Sequence, residues 1–199
     1  MKLHYHPISP YARKARIMAM VAGVDVEEIP PVKQGADGYG SNGNPLGKIP
    51  CLERQNLPPL FDSPVVCEYL DSLSETPLLP ASGEARWTQL RLHAVGDGLS
   101  DAVYNYRYET VRDATLHWLD MIDRHTQAMR NALIYLEANI DNLGTEWSFG
   151  NMAVFCAIDY LQFRGQHIDL EGLSPNLSAW HKMISAKPES LATYGYGES

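Results

Sequence analysis

Ser9-Pro10-Tyr11-Ala12, with Arg13-Lys14 directly behind it, is the stretch of this 199-residue chain best suited to chemistry. It follows a strand-like run, Lys2-Leu3-His4-Tyr5, and opens a helix-like run that ends near Gly23. Ser9 is placed as an N-cap, with its hydroxyl free to meet the amide donors of the first turn. Pro10 stands at the first helical position, where its missing N–H costs nothing. Helix N-termini of this kind favour negative charge, so the tip can hold an anion; the plainer reading is an ordinary capped helix. Asp62-Ser63-Pro64 repeats the grammar, again with a cap serine and a first-turn proline. Arg13, Lys14 and Arg16 sit in the first two turns behind Ser9, where the helix dipole disfavours cations. Local rules broken this way are expected near functional sites. Either their field favours an anion at the tip, or they are solvated cations on a surface turn. Cys51, Cys67 and Cys156 are odd in number and form no Cys-x-x-Cys pair. The seven histidines lack metal-ligand spacing, and no metal site is expected.

The elements that must carry these residues change character along the chain. After the opening strand and helix, Val24 to Ile29 reads as a second strand, stopped by Pro30-Pro31. Residues 33 to 47 hold Gly35, Gly38, Gly40, Gly43 and Gly47 and read as an irregular loop. Asn44-Pro45-Leu46-Gly47-Lys48-Ile49-Pro50 leads into the short run Cys51-Leu52-Glu53-Arg54. Gln55 to Pro59 reads as a turn and Leu60-Phe61 as the stub of a further strand, paired as an antiparallel hairpin. A helix with Val65, Val66, Tyr69, Leu70 and Leu73 follows. This order is that of an α/β unit with a mixed sheet. Thr76-Pro77-Leu78-Leu79-Pro80 reads as a linker. Beyond it only helical patterns are seen: residues 84 to 112, 115 to 141, an almost wholly apolar run from Met152 to Phe163, and Pro175 to Ala186. The tail from Tyr194 to Ser199 has no period and is expected to be loose.

A net charge of −8 argues against nucleic acid as a partner. The apolar fraction of 45% suits a full globular core, and no apolar run reaches the roughly 18 residues that span a bilayer. The N-terminus shows no apolar signal region, and the expected compartment is the cytoplasm.

Together these features resemble the soluble glutathione S-transferases. Asn44-Pro45-x-Gly47-Lys48-Ile49-Pro50 is similar to that family's Asn-Pro-x-Gly-Lys-Val-Pro, and Asp62-Ser63 to its Glu/Asp-Ser pair. Ser9-Pro10-Tyr11 with a basic pair behind it resembles the serine-type bacterial members. Ser148-Phe149-Gly150-Asn151 stands where the family has Ser/Thr-x-x-Asp, with Asn151 a departure that brings no charge to the helix tip and is expected to slow folding or lower stability. The resemblance implies a thioredoxin-like N-terminal domain with a mixed four-stranded sheet over residues 1–76. It implies an all-α helical domain over residues 77–199, and a homodimer.

It also assigns roles. Glutathione would be a co-substrate, its thiol held as thiolate by Ser9. Ile49 and a cis Pro50 would present backbone groups to its cysteine, and Asp62 and Ser63 would meet its γ-glutamyl ammonium and carboxylate. Lys48 and Lys33 are candidates for its glycine carboxylate. Tyr11, Tyr104, Arg107 and Tyr108 are candidate walls for a small hydrophobic electrophile, in a detoxifying transfer. A glutathione-binding, stress-type interaction protein of the same fold with negligible turnover is the alternative. Thiol–disulfide exchange is disfavoured, because Ser9 occupies the place where that chemistry needs a protein thiol.

Overall fold

The computed structural model describes residues 1–30 and 43–197. The first elements are β1 (Lys2–His4), α1 (Pro10–Val21), β2 (Glu27–Ile29), β3 (Cys51–Arg54), β4 (Leu57–Leu60) and α2 (Ser63–Ser72). The strands form one four-stranded sheet in the order β2-β1-β3-β4. β1 runs parallel to β2 and antiparallel to β3, with His4 opposite Cys51 and Leu3 opposite Leu52. β3 and β4 are the expected antiparallel hairpin, with Leu52 opposite Leu60. Its turn is tighter than the prolines suggest: only Gln55 and Asn56 turn, Asn56 with φ 57°, and Pro58 and Pro59 lie within β4. A sheet edge tolerates them, since an edge strand has one side on which no N–H is needed.

Leu3, Leu52, Ala12, Ala15, Ile17, Val66 and Leu70 are fully buried, which places a core between the sheet and the packed pair α1 and α2. Asp71 near the end of α2 is buried and accepts the N–H groups of Leu78 (2.7 Å) and Leu79 (3.0 Å), which pins the proline-rich exit from the sheet unit.

The helical elements are α3 (Gly83–Thr110), α4 (Leu119–Ala138), α5 (Phe149–Arg164), α6 (Leu170–Leu173), α7 (Pro175–Ser185) and α8 (Pro188–Ala192). The chain divides into two compact units, residues 1–86 together with the segment from Pro188 onward, and residues 87–187. α5 is the buried centre of the second unit, with every residue from Phe149 to Leu161 inside, as the almost wholly apolar run from Met152 predicts. Gly96 allows α3 to cross α5 closely, since a Cβ there would lie 2.4 Å from the carbonyl carbon of Ala153.

Asn151 does more than a carboxylate could. Its Oδ1 accepts the Ser148 N–H (2.9 Å), and its amide donates to the carbonyls of Leu143 (2.8 Å) and Glu146 (2.7 Å). An Asp at this buried position would leave those two carbonyls without a donor, so the lost charge is offset by two added hydrogen bonds. Nearby, the His181 ring bonds to Asp159 Oδ1 at 2.6 Å and stacks on Phe155, a buried polar pair held between α5 and α7.

Candidate functional site

The sheet topology gathers the sequence candidates. β1 and β4 are both antiparallel to β3, so they point the same way, and the turns leaving them emerge at one edge of the sheet. Ser9 follows β1 and Asp62-Ser63 follows β4. β3 begins at that same edge, because Cys51 lies opposite His4 at the end of β1, and Ile49-Pro50 immediately precedes it. Three segments distant in sequence thus meet beyond the carboxyl ends of β1 and β4, where open α/β sheets bind ligands.

Ser9 is the N-cap of α1, and its Oγ accepts the Ala12 N–H at 3.2 Å. An accepting hydroxyl keeps its own proton, so half-buried Ser9 can still donate to an incoming anion. His6 shapes the turn before it: the Ser9 N–H donates to the His6 carbonyl (3.0 Å) and the Ile8 N–H to His6 Nδ1 (3.3 Å). Burial pushes the His6 pKa down, which keeps the ring neutral and its Nδ1 an acceptor. No sequence pattern singled out His6.

At the second tip the cap falls one residue earlier than the sequence suggests. Asp62 is the N-cap, its Oδ1 accepting the Ser63 N–H, and Pro64 sits in the first turn. This relieves Ser63 of the capping role. Its Oγ is buried and has no hydrogen-bond partner among the described residues, an arrangement that natural proteins rarely leave without use.

Both the Ile49–Pro50 and the Phe61–Asp62 peptide bonds are cis, the first as the resemblance implies. Asn44, 4% exposed, ties the approach to Pro50: it accepts the Leu46 N–H (2.9 Å) and donates to the Lys48 carbonyl (3.0 Å). Pro50 is buried, Ile49 half-buried and Lys48 exposed. Lys33 lies outside the described residues.

The cations behind Ser9 are not the solvated surface charges of the plainer expectation. Arg13 and Lys14 are each 1% exposed, and Arg16 Nε donates to Glu28 Oε1 at 2.6 Å. Arg13 and Lys14 are buried in the fold rather than solvated. The described part of the tail is not loose either, since Arg13 lies within 6 Å of the ring centres of Tyr194 and Tyr196.

Of the proposed walls, Tyr11 is half-buried on α1. In the helical unit, Tyr104 and Tyr108 are exposed with ring centres 4.5 Å apart, and Arg107 is half-buried. Tyr108 lines a cavity of about 360 Å³ with Asn105, Glu109, Arg112, Trp118 and Met121. Arg107 and Arg164 both face buried Tyr160, whose phenol burial pushes up while the two guanidiniums pull it down. Tyr160 was hidden within an apolar helical run, and Arg164 lies directly after it.

All three cysteines are buried, and burial followed by the Glu53 charge raises the Cys51 thiol to about 11. Thiolate, not thiol, is the reactive form. At about pH 8, a maleimide should therefore label none of the three in the native protein within the time that exposes a free thiol, and all three in denaturant. One fast thiol in the native state would contradict this burial. The raised value also sets an alkaline limit. The Cys51 contribution to stability is complete below 9.0 and is lost as pH rises from there through about 11, because the unfolded chain releases its proton first.

Residues 8–73 match the sequence pattern of the family described as Glutathione S-transferase, N-terminal domain. The chain is 30% identical over 168 residues to the uncharacterized GST-like protein YibF of Escherichia coli (strain K12), covering 82% of this chain and 83% of YibF. A glutathione transferase family member from Pseudomonas fluorescens Pf-5, solved with bound glutathione, is 36% identical with a TM-score of 0.90, covering 96% of this chain and 97% of that one. A glutathione S-transferase of Methylobacillus flagellatus KT, also solved with glutathione, is 29% identical with a TM-score of 0.89, covering 96% and 98% of the two chains.

Proposed function

Since the chain belongs to the glutathione S-transferase family, we propose that it is a cytoplasmic glutathione transferase in which glutathione thiolate attacks a small hydrophobic electrophile. The observation that carries this reading is the buried Ser63 hydroxyl, without a hydrogen-bond partner among the described residues, at a helix tip that shares one sheet edge with Ser9 and Ile49-Pro50.

Ser63 Oγ and the amides of its helix tip receive the γ-glutamyl carboxylate, where the α2 dipole favours negative charge. Asp62 Oδ1 is engaged by the Ser63 N–H, which leaves Oδ2 for the ammonium. Ile49 offers backbone groups to the glutathione cysteine, and Lys48 and Lys33 attract the glycine carboxylate. Ser9 donates its hydroxyl proton as a hydrogen bond to the sulfur, which favours the ionised form. It is too weak a base to take the thiol proton, which passes to water or to the γ-glutamyl carboxylate. With an aryl halide the thiolate electron pair forms the C–S bond, the C–halogen bond breaks, and halide leaves. From the family resemblance, Tyr11, Tyr104, Arg107 and Tyr108 stay the candidate side chains for the electrophile. The working form is a homodimer, with the isologous symmetry most common among oligomers.

Retention on immobilised glutathione, turnover of a chlorodinitrobenzene-type substrate and a dimer mass in light scattering are the expected results. Retention without turnover across a broad electrophile panel supports the binding-protein alternative instead. A monomer mass at working concentration removes the dimer.

A further inference from the structure

The C-terminal segment grips the Ser9 turn from two sides. On the helix side, Arg13 lies one turn into α1, and its backbone N–H donates to the Ser9 carbonyl at 2.9 Å. Its guanidinium donates from Nε to Thr193 Oγ1 (3.2 Å) and from Nη2 to the Ser190 carbonyl (3.0 Å). The same group lies over the rings of Tyr194 and Tyr196, 5.7 and 5.6 Å from their centres. Arg16 Nη1 adds a bond to the Thr193 carbonyl at 3.2 Å. Thr193 itself is 1% exposed, its hydroxyl turned to the Glu189 carbonyl at 2.8 Å.

On the turn side, Gly195 lies directly against Pro7, two residues before Ser9. A Cβ at Gly195 would stand 2.2 Å from the Pro7 carbonyl oxygen, a distance no side chain can occupy. The contact is backbone on backbone, so neither partner can rotate out of the way. The turn it presses on is the one closed by the Ser9 N–H and the His6 carbonyl.

A buried guanidinium is stable only when its donors are met, and here the tail supplies acceptors and aromatic faces. The arrangement serves aim as well as stability, because the gripped turn carries the one hydroxyl that must meet the sulfur.

We propose that the segment Ser190–Tyr196 is a positioning strap for Ser9, acting through Arg13, Thr193 and Gly195 to hold the hydroxyl on the glutathione sulfur. This rests on the reading of Ser9 given above. Displacements of an ångström or less in such a group change rates strongly.

The test follows the thiol of bound glutathione by its ultraviolet thiolate absorbance, together with kcat/KM against pH. Arg13→Ala could simply fail to fold, so the principal variants are Gly195→Val, which displaces the tail from Pro7, and Thr193→Val, which removes the acceptor of Arg13 Nε. Each should raise the bound thiol pKa by about one, a roughly tenfold fall in thiolate below it. KM for glutathione should stay within about twofold, because the groups holding the rest of the molecule are untouched. Thr193→Ser keeps the hydroxyl and should restore the wild-type pH profile. In a Ser9→Ala background, Gly195→Val should add nothing further, the mark of two changes acting through one group. A lower Tm with an unmoved thiol pKa in both Gly195→Val and Thr193→Val would make the strap a structural anchor and overturn the proposal, while Ser9→Ala could still shift the thiol. If Ser9→Ala itself leaves the thiol pKa unchanged, the reading of Ser9 fails first and the strap has nothing to position.

Discussion

Ser9→Ala is expected to lower kcat/KM for conjugation about 10- to 100-fold while glutathione affinity changes by no more than about threefold. The size follows from the kind of bond removed: a hydrogen bond to an ionised group contributes about 1.5–3 kcal/mol, and each 1.4 kcal/mol is tenfold. Affinity is spared because, in the proposed function, the γ-glutamyl end is held elsewhere, at Asp62 and Ser63. The substitution also removes the cap on the Ala12 N–H, which by itself lowers stability by about 0.5–2 kcal/mol. Ser9→Asp separates the two effects. Its carboxylate can still cap Ala12 and suits the α1 dipole, yet it sets a like charge beside the thiolate and raises the thiol pKa further. Thermal stability should therefore rank Asp and Ser above Ala, while activity should rank Ser above Ala above Asp. Thermal unfolding and steady-state kinetics on the same three proteins check both orders. If activity instead follows stability, Ser9 is only a cap.

Ser63→Ala should act in the opposite sense on the two quantities. Without ligand, the wild-type hydroxyl is buried with no partner among the described residues, and such a group costs about 1–3 kcal/mol of desolvation. Alanine removes that penalty, so the ligand-free variant should be as stable as wild type or more so. Glutathione binding should weaken by about tenfold or more, since a charge-assisted bond to the γ-glutamyl carboxylate is lost. That bond is equally strong before and during the attack, so KM for glutathione should rise with kcat at saturation unchanged. Calorimetric titration and thermal unfolding together decide it. A variant that loses stability and keeps its affinity would mean that Ser63 serves packing alone.

Much of the scaffold is written in local signals. Ser9-Pro10 marks the start of α1, the hairpin follows from the spacing of β3 and β4, and the apolar run of α5 marks a buried helix. Those signals act within a few residues, where caps, turns and periodicity have direct physical causes. What stayed hidden depends on distance or on one atom. The Arg13–Thr193 bond joins residues 180 apart in sequence, and no local preference marks either one. A cation beside a helix N-terminus looks misplaced until the tail that surrounds it is known. Pro58 and Pro59 read as a turn because their place on a sheet edge is a property of the assembled sheet. At position 151 the exchange of one carboxylate oxygen for an amide looks like a loss from sequence alone. Only the nearby Leu143 and Glu146 carbonyls turn it into two bonds. At position 62 the shift of the cap by one residue is small in the backbone, yet it leaves the Ser63 hydroxyl without a partner among the described residues.

The most direct test of the account is the ultraviolet titration of glutathione bound to the wild-type protein. A helix tip and a serine hydroxyl built to hold a thiolate should lower the bound thiol pKa by about one or more relative to free glutathione, and Ser9→Ala should return it most of the way. A bound thiol that titrates where free glutathione does would contradict the account.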